Sequence, residues 1–319
     1  MNDICVIGVY FGIFPNYFPL WLRSCTYNPT IDFLIFTDNT EVDTPKNVKL
    51  IPYSLDTMRE QLDKLLGFRV SLERPYKCCD YKPLYGLLFS EWIRQYSFWG
   101  HCDFDLIFGD LRSFINQCEI EKYDKFLTLG HLSFYKNTPE VNKRFMCDGG
   151  SRSYKEAFTT NESCCFDEMC GMLSIYKYNN FSMFEKRVFA DITPIHHRFS
   201  LSEMSYTDKK DTNYNQQIFY WKNGKVYRDY IVDGKLFTEE YMYIHFRSRP
   251  NFEVPQGIMS ANEFFITCDG FIDKNGATTQ NDINRLNHYN GVREWFELRK
   301  YYFSKLKERI NRKLKTQLR

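Results

Sequence analysis

The sequence predicts an α/β fold, and three observations predict it. One continuous apolar run of strand length, Ile4–Tyr10, and a second largely apolar segment, Ile31–Thr37, which includes Asp32, lie near the start. Such runs suit strands buried on both faces, as in parallel sheets. A segment with helical spacing, Leu55, Met58, Leu62, Leu65 and Leu66, follows them. The links are short, and strands and helices alternate over about the first 130 residues, the pattern of a sheet with helices packed against it.

In chain order, Ile4–Tyr10 is the first strand, ending near Gly12, and residues 17–25 read as a short helix. Ile31–Thr37 is the second strand and stops at Asp38-Asn39; residues 48–51 make a third. Leu55–Leu66 is a helix, and residues 82–96 another, with Pro83 in the first turn, where a missing N–H costs nothing. Phe98–Cys102 is a strand running into Asp103-Phe104-Asp105, and residues 125–129 one more. Residues 137–167 contain Asp148-Gly149-Gly150-Ser151, are polar, and read as a mobile loop over a site. Residues 226–246 alternate and contain Asp233-Gly234, the composition of a tight hairpin turn. Residues 292–318 form a long terminal helix. The expected organisation is one domain over 1–290 and a helical tail over 291–319.

Hydrophobic residues at 43% and charged residues at 26% exclude a disordered or fibrous chain. Aromatic residues reach 18%, enough to supply flat faces for sugars or bases and equally enough to fill a core. The eleven cysteines form no Cys-x-x-Cys and no regular spacing, so a disulfide framework and a structural zinc site are both unsupported. Reduced thiols in a cytoplasmic protein are expected. No apolar stretch reaches the length of a spanning helix. Residues 292–319 carry ten Lys or Arg against three Glu, a balance of +7, which leaves −5 on the rest of a chain whose total is +2. An acidic body with a basic tail argues against nucleic-acid binding.

The segment Trp99-Gly-His-Cys-Asp103-Phe-Asp105-Leu-Ile-Phe-Gly-Asp110 is the foremost site candidate. Two carboxylates one residue apart, just after a strand, can reach one divalent cation at the carboxyl edge of the sheet, where open α/β sheets bind ligands. Hard cations such as Mg²⁺ and Mn²⁺ prefer oxygen and bridge to phosphates. Asp38 ends the second strand and is either a contact for a base or ribose or a turn residue. Lys82 stands at an expected helix start, where the dipole disfavours a cation, so it is expected to face an anion. His245, in Tyr-Ile-His-Phe-Arg247-Ser-Arg249, is a third metal ligand or a structural histidine, and the two arginines suit a diphosphate. Of Asp167 and Glu168, one is a general base on an acceptor hydroxyl or orients it, or the pair is an acidic helix start.

These segments, with Cys79-Asp-Tyr-Lys-Pro83 and Phe166-Asp-Glu168, together resemble the glycosyltransferase-like proteins of bacterial capsule and surface-polysaccharide gene clusters. The resemblance spans most of residues 3–250. It implies a GT-A-like, Rossmann-type nucleotide-sugar-binding sheet with a C-terminal helical tail, and hexose transfer from a UDP-linked donor to a glycan acceptor. It also implies Mn²⁺ or Mg²⁺ held by Asp103 and Asp105, with His245 as a late ligand. Gly8, Tyr10, Asp38, Lys82, Asp103, Arg247 and Arg249 are assigned to the donor, and Asp167 and Glu168 to catalysis. The histidine segment lacks the Gly and Lys that often follow such a histidine in retaining enzymes, and Arg247 and Arg249 stand in their place.

In the tail, apolar residues from Val292 to Ile310 include Trp295, Phe296, Tyr301, Tyr302 and Phe303, with basic residues on the other faces. Such a helix lies on an anionic membrane, the inner face of the plasma membrane for a lipid-linked acceptor, or packs on its own domain. Two other readings compete. Asp103-Phe-Asp-Leu-Ile also resembles the start of a haloacid-dehalogenase-type phosphatase, but it follows several strands and continues Leu-Ile-Phe instead of Gly-Thr. A sugar- or nucleotide-binding module without catalysis would use the aromatics and the acidic pair, but it would not need Lys82, Arg247 and Arg249. A Walker-type nucleotidase is excluded by the absence of its Gly-rich motif.

Overall fold

The computed structural model describes residues 2–193, 198–202, 213–247 and 252–317. The chain divides into two compact units, Met1–Val188 and Phe189–Arg319.

The first unit is built on a seven-stranded sheet. Its strands are β1 (Ile4–Tyr10), β2 (Ile31–Thr37), β3 (Val48–Pro52), β4 (Phe98–Cys102), β6 (Lys125–Phe126), β7 (Leu132–Lys136) and β8 (Met183–Phe184), in the order β3-β2-β1-β4-β7-β6-β8. A short strand β5 (Leu106–Phe108) follows β4 in the chain. The pairs β3–β2, β2–β1 and β1–β4 are parallel, while β7 runs antiparallel to both β4 and β6. The order 3-2-1-4 is that of a Rossmann-type sheet, with its topological switch between β1 and β4. Ile4, Cys5, Val6 and Ile7 are fully buried, as an unbroken apolar run requires of a central parallel strand. The helix Leu55–Leu66 is capped by Ser54, whose hydroxyl accepts from the Thr57 N–H, and it turns Met58 and Leu62 into the core.

Three expectations differ from the structure. Residues 82–96 do not form one helix. They divide into a 3₁₀ turn Lys82–Leu84 and short helices Tyr85–Leu88 and Ser90–Ile93. The break falls at Phe89, which leaves helical geometry while its ring stacks on Phe36 at 3.7 Å. The strand expected over 125–129 ends at Phe126, because Leu127 is left-handed at φ 71 and turns its carbonyl back onto the Lys125 ammonium. Residues 137–167 are not an open loop. They contain the 3₁₀ helix Val141–Met146 and the helix Tyr154–Phe158, and Val141, Phe145, Ala157 and Phe158 belong to the main core. Phe145 and Phe166 ring-pack on Phe158 at 6.0 and 5.4 Å, an apolar content that the polar surroundings conceal.

In the second unit, β9 (Ala190–Asp191) pairs in parallel with β13 (Tyr243–His245). A five-stranded antiparallel sheet joins β10 (Gln217–Lys222), β11 (Lys225–Val232), β12 (Lys235–Tyr241), β14 (Glu263–Ile266) and β15 (Phe271–Asp273) in the order β12-β11-β10-β14-β15. The Asp233-Gly234 turn links β11 to β12 with both residues at positive φ, the conformation a two-residue hairpin demands. The terminal helix Gly291–Gln317 carries exposed Trp295, Phe296, Tyr302, Phe303, Leu306 and Ile310. Its first turn is held to its own unit by Arg198, which pairs with Glu294 at 3.6 Å and lies over the Tyr289 ring at 5.0 Å. Among the described residues no helix is long and apolar enough to cross a membrane.

Candidate functional site

Asp103 and Asp105 follow β4 at the switch beside β1, the place where a sheet of this order leaves a crevice at its carboxyl edge. The residue between them anchors the segment: Phe104 is buried among Tyr10, Phe14, Phe18 and Trp21, with ring centroids 5.1–5.9 Å away, while both aspartates are only half-buried. A carboxylate oxygen of Asp103 comes within 4.8 Å of one of Asp105. Two ligands of one Mg²⁺ or Mn²⁺, each about 2.1 Å from the ion, need little more than a side-chain adjustment from there. The donor set is all oxygen and fits such an ion.

Gly8 and Tyr10 serve the same anchor. A Cβ on Gly8 would sit 2.7 Å from Phe104 Cζ and 2.8 Å from Ile35 Cδ1, so glycine makes room for that ring. Tyr10 stacks on Phe14 at 5.1 Å and donates its hydroxyl to the Ile13 carbonyl. Asp38 Oδ1 accepts from the Gly12 N–H at 2.7 Å and ties the loop after β1 to the end of β2, which is the turn reading of that residue.

Lys82 does face an anion, and the anion is the chain itself. Its Nζ lies 2.6 Å from Asp103 Oδ1 and 3.2 Å from Asp167 Oδ2, and it donates to the Gly130 carbonyl at 2.9 Å. Burial works against the ammonium, but Asp103, Cys79 and Asp167 outweigh it and hold its pKa well above the ordinary lysine value. Asp167 is pushed up to about 7 by burial, with Lys82 pulling down and Glu168 and Asp103 pushing up. Glu168 accepts from the Gly130 N–H at 3.1 Å. Asp103, Asp105, Lys82, Asp167 and Glu168 are therefore gathered in one unit.

Sequence reasoning missed two members of this assembly. Gly130 presses so closely that a Cβ there would stand 2.0 Å from Asp167 Oδ2. Lys125 is fully buried, donates to Ser133 Oγ at 2.9 Å and to the Leu127 carbonyl, and is brought down to about 7 by burial, with Asp167, Glu168 and Glu185 opposing. Lys125 lies within a strand-like segment and Gly130 in a Leu-Gly-His turn, and neither signals a charge cluster from its neighbours in the chain.

In the second unit, His245 on β13 is in register with Asp191 on β9, and its Nδ1 lies 2.8 Å from Asp191 Oδ1. A carboxylate that receives the Nδ1 proton keeps the Nε2 lone pair basic, the tautomer of a metal-ligating histidine. Arg247, left-handed at φ 51, sets Nε and Nη2 against the two oxygens of the same carboxylate at 3.2 and 3.0 Å. Its guanidinium thus serves Asp191. Arg249, the other arginine expected at a diphosphate, lies outside the described residues.

Comparison with known proteins returns no match among curated proteins. Solved structures with partial likeness include the apo form of mouse xyloside xylosyltransferase 1, at 6% identity over 60% of this chain and 88% of that chain, with a TM-score of 0.37. Another is the galactosyltransferase LgtC in complex with donor and acceptor sugar analogs, at 10% identity over 60% of this chain and 76% of that one, with a TM-score of 0.34. A family model matches residues 6–275, and on that match the chain belongs to the family of unknown function DUF6625.

Proposed function

We propose that this protein is a metal-dependent glycosyltransferase that moves a hexose from a nucleoside-diphosphate sugar, UDP-linked, to a glycan hydroxyl in bacterial surface-polysaccharide synthesis. The observation that carries the reading is the pair Asp103 and Asp105, which follow β4 at the β1–β4 switch with carboxylate oxygens within 4.8 Å of each other. Those two residues would hold Mn²⁺ or Mg²⁺, which neutralises the charge developing on the departing diphosphate. Lys82 holds Asp103 by one oxygen and leaves the other for the ion. Gly8 and Tyr10 on β1 and Asp38 just after β2 border the donor's base and ribose in this reading.

Asp167 and Glu168 are the groups that take the acceptor hydroxyl's proton. A carboxyl that titrates near neutral pH suits that transfer, and Asp167, pushed up to about 7, is such a group. His245 keeps the ligand role that the sequence resemblance implies, supported by Asp191 behind its Nδ1. Arg247 and Arg249 are proposed for the diphosphate on sequence grounds, with Arg247 acting from its position on Asp191. The exposed aromatics and the basic residues of the tail suit an anionic membrane surface on the cytoplasmic side, where a lipid-linked acceptor would be met.

The test is calorimetric titration of UDP into wild type and Asp105→Ala, each with Mn²⁺ and with EDTA. Metal-dependent binding in wild type that vanishes in the variant is the expected result. No heat with either ion, or equal heat in both proteins, overturns the reading.

A further inference from the structure

The loop that carries Asp167 and Glu168 is held from a second point, remote from the acidic pair. Asp80 is completely buried and accepts three backbone contacts: from the Cys164 N–H at 3.1 and 2.9 Å on its two oxygens, and from the Phe166 N–H at 2.9 Å. Lys77, also buried, lies 2.8 Å from Asp80 Oδ2 and donates onward to the carbonyls of Ala157 at 2.8 Å and Glu162 at 2.6 Å. A buried carboxylate with an ammonium and three amide contacts has its lone pairs well used, which is the condition under which a buried ion pair is tolerated. The backbone it grips ends at Phe166, immediately before Asp167.

We infer that Asp80 is a positioning residue for Asp167 and Glu168. Resting on the function proposed above, the segment 77–82 grips the acidic loop twice. Asp80 takes its backbone at Cys164 and Phe166, and Lys82, half a helical turn further on, takes the Asp167 carboxylate. The same placement sets Glu168 against the Gly130 N–H. The backbone grip fixes where the chain enters the site, and the side-chain grip fixes which oxygen faces the cation. Asp80 touches neither acid, so its effect on them passes through two residues of backbone.

The experiment compares wild type with Asp80→Asn and with the double variant K77M/D80N, which removes the ammonium that a lone Asp80→Asn would strand. Amide hydrogen exchange is read at Cys164, Phe166 and Gly130, with β1 amides as the reference. Gly130 is the informative site, since its N–H is held by Glu168 and makes no contact with Asp80. Exchange at all three is expected to rise at least about tenfold with β1 unchanged. In UDP-hexose turnover with Mn²⁺, kcat is expected to fall at least about tenfold while UDP affinity stays within about threefold. Unchanged exchange at Gly130, or protection lost throughout β1 in both variants, overturns the inference. A wild type without turnover overturns the glycosyltransferase reading and leaves the exchange arm to decide the positioning role by itself.

Discussion

Replacing Gly130 with alanine tests the packing of the acidic site at its tightest contact. The new methyl would stand 2.0 Å from Asp167 Oδ2, 2.6 Å from its Cγ and 3.0 Å from Glu168 Cγ. Asp167 must retreat by about 1 Å or more to reach even a tight contact, which carries its 3.2 Å approach to Lys82 to the ~4 Å limit of an ion pair. Overpacking of a filled interior costs about 1–3 kcal/mol. Severing one partner of a buried pair costs about 3–5 kcal/mol when nothing replaces it. Lys82 keeps Asp103 at 2.6 Å, so the second cost is only partly incurred and the sum comes to about 2–4 kcal/mol. For a unit of this size that lowers the calorimetric transition by about 5–15 °C. The control is Gly257→Ala, whose methyl would meet nothing nearer than Asp273 Oδ2 at 3.9 Å. A Gly130→Ala transition within about 2 °C of that control would refute the argument, because it would mean the carboxylate has room to move at no cost.

Asp167→Asn is expected to flatten part of the pH dependence of stability. Burial raises the folded pKa from 3.8 to about 7, so between those values the folded chain holds a proton that the unfolded chain has released, and the stabilisation is lost as pH rises through about 7. Urea midpoints at pH 4.5 and 6.5, below the window in which Lys125 titrates, should therefore differ more in wild type than in the variant. Lys125→Met should remove a slope in the alkaline window. The folded pKa is lowered from 10.5 to about 7, the unfolded chain binds more protons between them, and wild-type stability climbs with pH across that range while the variant's does not. Deleting residues 292–319 should abolish sedimentation with phosphatidylserine-containing vesicles, and raising the salt should weaken wild-type binding in parallel. Vesicle binding unaffected by the deletion would assign the exposed aromatics of the tail another partner.

What the sequence made legible is what local patterns encode. Residues Ile4–Tyr10 and Ile31–Thr37 are strands because a run that is apolar but for Asp32 in the second has one economical environment, and the Asp233-Gly234 turn is legible because two successive positive φ angles admit few residue pairs. The acidic pair was visible for the same reason, a short motif directly after a strand. The rest of the site is non-local. Lys82 meets Gly130 across 48 positions, and Asp80 meets Phe166 across 86. Nothing near Lys82 in the chain says that its anion is internal, and its place at an expected helix start pointed outward instead. Residues 137–167 read as a loop because their polar residues dominate the composition, while a few aromatics, Phe145, Tyr154 and Phe158, decide the packing.

One consequence of that non-local assembly is electrostatic. Asp103, Asp167 and Glu168 bring three carboxyls close to two buried ammonium groups, Lys82 and Lys125, and the two ammoniums are treated oppositely. Lys82 has carboxylate oxygens at 2.6 and 3.2 Å and is held charged. Among the described residues Lys125 has a hydroxyl, a carbonyl and the Tyr135 ring as neighbours and no carboxylate in ion-pair contact, so burial dominates and brings it down to about 7, where burial also raises Asp167. A cation held by Asp105 and the second Asp103 oxygen would draw on the Asp103 charge, weaken its pairing with Lys82 and leave the ammonium to Asp167, which would lower that carboxyl's pKa. Metal loading and the protonation of Asp167 would then be coupled, through Lys82 and through the Asp103 charge that raises Asp167. An Asp167 midpoint unchanged by Mg²⁺ in wild type, followed by carboxyl NMR against a Lys82→Met control, would break that link.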